Sequence, residues 1–350
     1  MQQLLNSIHS DQRPARSAWA KLGLGMLTLC LLVATLWGNL ALYYQAPKPA
    51  LWMAVWSLLA LSCAVLLWVR GATQGVIAYL VLHGCLLVWW NTLEPSNEHL
   101  WADDLAQMTH GEVQGSRVTL HNVRNFNWKS ETEYEPRWET RRYDLTQLQS
   151  VDMITSHWGM QSIAHVLVSF GFSDGQFVTF TVEIRKKQGQ SFSEIGGFFK
   201  DFELSIMATD ERDAISVRPN VRGEDSYLYR LEMPQELMQQ LFLAYINQAN
   251  DLVEQPRFYN TITANCTTIV FDMMRHITGR SFPLDPRLLL TGYLPSYVQE
   301  QGGLVPDYPL PVLTERGRIT ERSKQAAEAS NYSQKIRDGV PGWSQRLSQD

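Results

Sequence analysis

Three long apolar runs open the chain, ahead of any segment in which polar and apolar positions alternate. The first two are long enough to span a bilayer as helices, and the shorter third ends in Trp89 and Trp90, which suit a membrane interface. The first run is longer than the apolar part of a signal peptide and lacks a convincing cleavage site, so we expect it to be retained. The runs cover residues 22–43, 51–69 and 76–90. This pattern predicts a membrane anchor of three transmembrane helices over residues 1–90.

Basic residues around these runs predict the orientation of the chain. Arg13, Arg16 and Lys21 precede the first run, and Arg70 lies between the second and the third. Because cytoplasmic loops are enriched in lysine and arginine, the N-terminus and the Arg70 loop are expected in the cytoplasm. Three spans then place everything after residue 90 outside the cytoplasmic membrane, whereas two spans would place it inside.

Beyond residue 90 the pattern changes to short alternating segments and amphipathic helices. Residues 234–250 read as a helix with proline in its first turn, and residues 281–313 carry six prolines and predict an extended wrap. The remaining polar stretch is expected to fray. The alternating segments, each typical of a strand, are residues 115–127, 148–154, 164–172, 176–184, 202–208 and 227–231. We therefore expect an α+β domain over residues 91–313, with an antiparallel sheet packed on helices, and a polar C-terminal tail over residues 314–350.

Two of these strands form the most informative pair. Ser173, Asp174 and Gly175 separate them, and this is a three-residue hairpin loop with glycine where a positive φ is needed. Loop length and apolar alternation together require that residue numbers of opposed residues sum to 348. His165 then faces Glu183 across the hairpin, at the roughly 5 Å Cβ separation of opposed residues. This pair is either the base and orienting group of a catalytic site or an incidental ion pair on the surface.

Cys266 is the other residue with chemical potential. Cys30, Cys63 and Cys85 all belong to the apolar runs, so Cys266 has no partner for a disulfide within its domain. It lies in Asn265-Cys266-Thr267-Thr268, where an irregular stretch becomes a helix-periodic run that Gly279 ends. A thiol in the first turn of a helix meets unpaired N–H groups and the positive end of the helix dipole, and both favour the thiolate. The alternative is a half-buried structural cysteine.

Composition and motifs narrow the chemistry. The 350 residues carry a net charge of −5 and no basic run, which does not indicate nucleic-acid binding. HExxH, CxxC and paired Cys/His spacings are absent, so we expect neither a metal nor a cofactor, and GxSxG is also absent. Arg124, Arg137, Arg141 and Arg142 could hold a phosphate head group or form a solvated basic face.

Eight separated motifs occur in an order that resembles one bacterial family. They are HNVRNFNW, RRYDL, AHVLVSFGFSDGQFVTFTVEIRKKQG, GGFFKDFEL, DERD, YLY, FYN and NCTT. Over roughly residues 91–300 the chain resembles the N-terminal periplasmic domain of the Lnb-type lipoprotein N-acyltransferase. The order of histidine, carboxylate and Asn-Cys also looks like the permuted papain-like proteins, which include NlpC-like and lecithin:retinol acyltransferase-like members. The resemblance implies a permuted papain-like domain after the three helices.

The resemblance also implies roles for particular residues. Cys266 would be the nucleophile, His165 the base and Glu183 the orienting group. The same motifs supply candidate substrate-binding or supporting residues: Asn265, Thr267, Tyr259 and Arg124.

The function expected from this resemblance is that of a membrane-anchored, cysteine-dependent acyltransferase or hydrolase. It would be a multi-pass protein of the bacterial inner membrane with its catalytic domain in the periplasm. An acyl group would pass from a membrane phospholipid to Cys266 and then to a lipoprotein amine or to water. The alternatives are a cysteine peptidase or amidase acting on cell-wall peptide and a non-catalytic envelope scaffold. Three membrane spans favour the acyltransferase or hydrolase over the peptidase, because a wall hydrolase needs no anchoring in a bilayer.

Overall fold

A computed structural model describes residues 18–343. They form two compact units, and the boundary along the chain falls between Glu94 and Pro95. The basic residues Arg13 and Arg16, used above to orient the chain, lie outside the described residues. Each unit has its own core of buried apolar side chains.

The first unit consists of three apolar helices. They are Ala18–Gln45 (α1), Pro49–Val69 (α2) and Ala72–Asn91 (α3), and each is long and apolar enough to cross a membrane. The apolar run 76–90 is shorter than a membrane span, but the third helix extends beyond it to 20 residues and is long enough to span. Trp56 is buried between the helices, and its indole N–H donates to the carbonyl oxygen of Thr35 at 3.0 Å. The prediction of three apolar N-terminal helices is confirmed.

The second unit is built on a mostly antiparallel sheet of eight strands. Seven of them follow the order β1-β2-β9-β8-β7-β6-β10, and the eighth, β5, pairs with β2. Only β2 and β9 pair in parallel, and β3 and β4 form a separate ribbon. The strands are His110–Gln114 (β1), Arg117–Arg124 (β2), Asn127–Trp128 (β3), Tyr134–Glu135 (β4), Trp138–Asp144 (β5), Leu148–His157 (β6), Ala164–Phe172 (β7), Phe177–Arg185 (β8), Glu203–Thr209 (β9) and Asp225–Arg230 (β10).

Helices cover both faces of this sheet. They are Glu211–Ala214 (α4), Val217–Asn220 (α5), Gln235–Glu254 (α6), Thr268–Thr278 (α7), Leu294–Glu300 (α8), Leu310–Gly317 (α9), Thr320–Gln325 (α10) and Tyr332–Lys335 (α11). The proline-rich stretch 281–313, which was expected to be extended, therefore contains α8 and the start of α9. Proline in the first turn of both helices explains this difference, because its fixed φ suits that position. The predicted α+β class is confirmed.

The β7–β8 hairpin has the register that its sequence predicts. Val168 pairs with Phe180 and Phe170 with Val178, so paired residue numbers sum to 348. Gly175 has a φ of 85°, and its N–H donates to the carbonyl oxygen of Phe172 at 3.0 Å. The hairpin loop thus uses the positive φ that only glycine adopts without strain.

Helix α6 covers the face of the hairpin on which the apolar residues alternate. Phe242 and Tyr245 of this helix are buried against Phe170 and Phe180, and the rings of Phe180 and Tyr245 stack with centroids 4.8 Å apart. Four buried aromatic side chains form the centre of the main core. This packing holds β7 and β8, and so the His165 strand, in a fixed position beneath α6.

The other face of the sheet is covered by the C-terminal segment. Ile319, Tyr332 and Ile336 are buried against Leu167 and Leu228, in a second apolar cluster. The expectation of a fraying tail is therefore wrong for residues 314–343. The segment is polar in composition, which suggested fraying, but its few apolar residues are the ones that contact the sheet.

A buried ion pair fastens this segment. The guanidinium of Arg337, 2% exposed, lies 2.9 Å from Asp152 and 2.6 Å from Glu211. Both carboxylates are almost fully buried, and Arg337 compensates the charge of both, with Arg230 a further 3.8 Å neighbour of Asp152.

Candidate active site

Asn265 organises the turn that carries Cys266. Its side-chain oxygen accepts hydrogen bonds from the N–H groups of Thr267 and Thr268, at 2.8 and 2.9 Å. The Thr268 hydroxyl accepts in return from the N–H of Asn265 at 3.0 Å, which completes a reciprocal cap of the capping-box type. The N–H of Ile269 reaches the carbonyl oxygen of Asn265, so helical hydrogen bonding begins at Asn265 and Cys266 lies in the first turn. Asn265 is thus a structural support for the position of the thiol.

His165 lies where the β7–β8 ladder opens. Backbone pairing between the two strands ends at Leu167 and Thr181, so the backbones of His165 and Glu183 are not paired with each other. The His165 Nε2 atom lies 2.6 Å from the Thr181 hydroxyl and 3.2 Å from a Glu183 carboxylate oxygen. The Thr181 hydroxyl in turn donates to that carboxylate at 2.9 Å. The predicted imidazole–carboxylate pair is therefore present, with a hydroxyl inserted beside it.

The pKa values of the three groups respond to one another. Burial disfavours the charged form of His165, but attraction to Glu183 outweighs it and raises the pKa of the imidazole to about 9. Burial likewise opposes ionisation of Cys266, yet hydrogen bonding and attraction to His165 lower the pKa of the thiol below its ordinary value. The pKa of Glu183 is held well below its usual range, because His165 and Arg218 outweigh its burial. The arrangement favours a thiolate beside an imidazolium.

Arg218 and Thr181 belong to this cluster, and neither was predicted. Arg218 lies 3.8 Å from Glu183 and 3.0 Å from Glu224, and its side chain is 7% exposed. Thr181 could have been found from the sequence, because it precedes Glu183 by two positions and so points to the same face of β8. Arg218 had no such signal, because the fold brings it in from the short helix α5.

Arg124 supports the cluster from further away. Two of its nitrogens bind both oxygens of Asp213, at 2.8 and 2.9 Å, and a third donates to the carbonyl oxygen of Asp104. This guanidinium is 6% exposed and fully engaged, so it is not available to bind a substrate group. Its positive charge helps to keep the pKa of Glu183 low.

The two other predicted support residues lie close to the thiol. The Thr267 hydroxyl is 4.0 Å from the sulfur of Cys266, and Thr267 is 3% exposed. Tyr259 is half-buried, and its pKa is raised by burial and then by the nearby charges of Cys266 and Glu183. The phenol is therefore protonated, and it can donate a hydrogen bond towards the reacting centre.

Cys266 also borders a cavity of about 530 Å³. Side chains from β6, β7, α6, α7 and α8 line it, and nearly all of them are apolar. Examples are Met153, Val166, Leu241, Val270, Phe271 and Tyr297, with Arg280 among the few charged residues. A cavity of this size and character suits an apolar ligand. Between residues 18 and 343, no group of three or more His, Cys, Asp or Glu side chains is placed to hold a metal ion.

The fold and this cluster define a class of protein: a membrane-anchored α+β protein that carries a thiol, an imidazole and a carboxylate at one end of its sheet. Residues 134–292, which include all three groups, match the family described as the Lnb N-terminal periplasmic domain. The chain is therefore a membrane-anchored protein with a periplasmic domain. No curated protein and no solved structure matches it.

Proposed function

We propose that this protein is a thiol-dependent acyltransferase or hydrolase of the bacterial inner membrane, with Cys266 as nucleophile, His165 as general base and acid, and Glu183 as orienting group. The single observation that carries the proposal is the setting of the Cys266 thiol, whose ionisation is favoured by His165 and which borders an apolar cavity. A polar nucleophile beside an apolar cavity suits a substrate with a reactive carbonyl and a long hydrocarbon chain.

The first step would move an acyl group from a phospholipid to Cys266. The thiolate sulfur attacks the ester carbonyl carbon, a C–S bond forms, and the C–O bond to the glycerol oxygen breaks. His165, protonated at neutral pH, gives its proton to the departing alkoxide, so the leaving group is a neutral lysophospholipid alcohol. The positive end of the helix dipole at the start of α7 stabilises the negative charge on the carbonyl oxygen.

The second step would release the acyl group. His165, now neutral, removes a proton from the amine of a lipoprotein or from water as that group attacks the thioester carbonyl. A C–N or C–O bond forms, the C–S bond breaks, and the thiolate–imidazolium pair is restored. Amine attack gives an amide and water attack gives a free fatty acid, so the acceptor alone separates transferase from hydrolase.

The apolar cavity supports a lipid donor over a cell-wall peptide. Each methylene group of an acyl chain that enters it is stabilised by about 0.8 kcal/mol through burial. A cell-wall peptide is polar and would leave apolar side chains such as Val270, Phe271 and Met274 in contact with its backbone.

The test uses the full-length protein in phospholipid nanodiscs. Intact mass measurement without an acceptor should reveal a mass increase of one acyl chain that hydroxylamine removes, as expected for a thioester. Cys266→Ala should abolish the adduct, whereas Cys63→Ala, which removes a cysteine of the second apolar helix, should retain it. An adduct that persists in Cys266→Ala would refute the proposal. Release of peptides from purified cell wall, without any acyl adduct, would instead support the amidase.

A further inference from the structure

Exposed apolar side chains of the second unit concentrate at one end of its sheet. Strand β6 ends at His157 beside the start of β7, and β8 ends at Arg185 beside the start of β9. The loops 158–163 and 186–202 therefore leave the sheet at the same end. We call this the site end, because His165 lies there.

Two further segments reach the site end. An isolated bridge between Phe258 and the first residue of β9 brings residues 259–265 to it. The N–H of Gly292 donates to the carbonyl oxygen of Ser162 at 3.0 Å, which brings residues 288–293 alongside the first loop. Four segments thus surround the place where Cys266 and His165 meet.

Among residues 95–343, these four segments hold nine of the thirteen large apolar side chains that are exposed. Met160 is 60% exposed, Ile262 50% and Phe198 41%. We call the exposed apolar side chains of the four segments the apolar rim. Large apolar side chains gathered on one part of a surface mark a place of contact with a protein or a membrane.

The path of the chain indicates a membrane. The third apolar helix ends at Asn91, and the chain then joins the second unit at the site end, where Ala102 N–H donates to the carbonyl oxygen of Lys186 at 3.0 Å and Gln188 N–H donates to that of Leu100 at 2.8 Å. The segment that arrives from the bilayer is therefore hydrogen-bonded to the loop that carries much of the apolar rim.

The composition of the rim agrees with a bilayer surface. Trp158 and Tyr293, both more than a third exposed, are aromatic residues with a polar group, of the kind enriched at membrane interfaces. Lys186 lies in the same loop region and can approach anionic head groups.

We propose that the apolar rim docks the second unit on the phospholipid surface, with Phe198 and Ile262 inserted below the head groups beside the Cys266 turn. The docking deepens the proposed function, and its purpose rests on that function: a lipid ester reaches the thiol without leaving the bilayer. The insertion itself is independent of catalysis, because it depends on side chains that take no part in the reaction.

The experiment measures depth with a small fluorophore on full-length protein in nanodiscs. One cysteine is introduced for labelling, at Phe198→Cys or at Met160→Cys, which lie on different segments of the rim. Asp174→Cys, in the hairpin loop at the opposite end of the sheet, is the matched control, and Val88→Cys in α3 reports a position within a predicted span. All four native cysteines are replaced by alanine: Cys30, Cys63, Cys85 and Cys266.

Brominated acyl chains in the nanodisc quench only fluorophores that reach the hydrocarbon. The labels at residues 160 and 198 are expected to lose most of their fluorescence, as the label at residue 88 does, while the label at residue 174 keeps its own. Rim labels that behave like the control at residue 174 would overturn the proposal. Because Cys266 is absent from every variant, this result says nothing about acyl transfer, and a failed docking is distinct from a failed reaction.

A second measurement uses the unmodified chain and so does not depend on the cysteine replacements. Hydroxyl radicals oxidise exposed methionine, and Met160 should be oxidised several-fold more slowly in nanodiscs than in a lipid-free polymer belt. Equal oxidation of Met160 in both preparations would contradict insertion of the rim.

Discussion

Replacing Glu183 by glutamine tests the charge balance at the centre of the candidate site. The substitution keeps the shape of the side chain and removes its negative charge. Glu183 is the group that holds the pKa of His165 at about 9, against an ordinary value of 6.5. That difference corresponds to about 3 kcal/mol in favour of the imidazolium.

Without Glu183, burial and the positive charge of Arg218 lower the pKa of His165, and the hydrogen bond with Cys266 is the remaining influence that raises it. Burial is the largest of these influences, so the pKa of His165 should fall from its native value of about 9. Once His165 is neutral, the thiol loses the charge that favours its ionisation, and burial raises the pKa of Cys266 again. A smaller fraction of Cys266 is then thiolate at pH 7, so it should react more slowly than in the native protein; a thiol with an unperturbed pKa of about 8.5 is only roughly 3% thiolate at that pH.

The assay is alkylation of Cys266 by iodoacetamide as a function of pH, quantified by peptide mass so that the other cysteines are separated. In the native protein, the imidazolium that stabilises the thiolate persists as pH rises and is lost only near pH 9. In Glu183→Gln the imidazolium should be lost at a lower pH than in the native protein, and alkylation should then increase only where the isolated thiol ionises.

Glu112→Gln is the matched control. It removes a carboxylate that lies 3.6 Å from His121 on a different strand pair, and it should leave the alkylation profile of Cys266 unchanged. If Glu183→Gln keeps the native pH profile, then Glu183 does not set the charge of His165 and the assignment of the orienting group is wrong.

Three further predictions concern the hydroxyl, the cavity and the C-terminal segment. Thr181→Val should reduce acyl transfer about tenfold by removing one hydrogen bond to His165, while Thr181→Ser should keep it; equal loss in both would mean that packing, not the hydroxyl, matters. Val270→Trp should fill the cavity, so the protein should no longer react with long-chain phospholipid but should still react with a short-chain ester, as measured by product mass. An unchanged preference for acyl-chain length would exclude the cavity as the acyl site. Arg337→Met should destabilise the second unit by about 3–5 kcal/mol, because the buried carboxylates of Asp152 and Glu211 lose the guanidinium that lies closest to both. Thermal unfolding that matches the native protein would contradict this.

Much of the fold and of the site could be predicted from the sequence, because the relevant signals are local. Apolar runs of near-membrane length define the three helices, and they do so without reference to any neighbour. The β7–β8 register follows from alternation and loop length alone, and the side chains of His165 and Glu183 meet just beyond the last paired residues. The Asn265 cap could be anticipated in the same way, since a cap involves only residues within four positions of one another.

Other features arise from contacts between residues far apart in the chain, which no local pattern encodes. The fold brings Arg218, which was not predicted, next to Glu183. It also pairs Arg124 with Asp213, so this predicted arginine cannot bind a ligand. The C-terminal segment looked disordered because its apolar residues are few and irregularly spaced, yet the second face of the sheet needs them for cover.

Local patterns in the chain identify the groups that could do chemistry in this protein: a thiol near a helix start, and an imidazole and a carboxylate on one hairpin. Each depends on short-range geometry, which alternation, turn length and capping specify. The approach of Cys266 to His165 depends on the folded core, because α7 and β7 are about a hundred residues apart and are joined by packing against shared apolar side chains. The tertiary structure also decided the setting of that approach, beside an apolar cavity and within an exposed apolar rim, since cavities and surfaces are properties of many residues together.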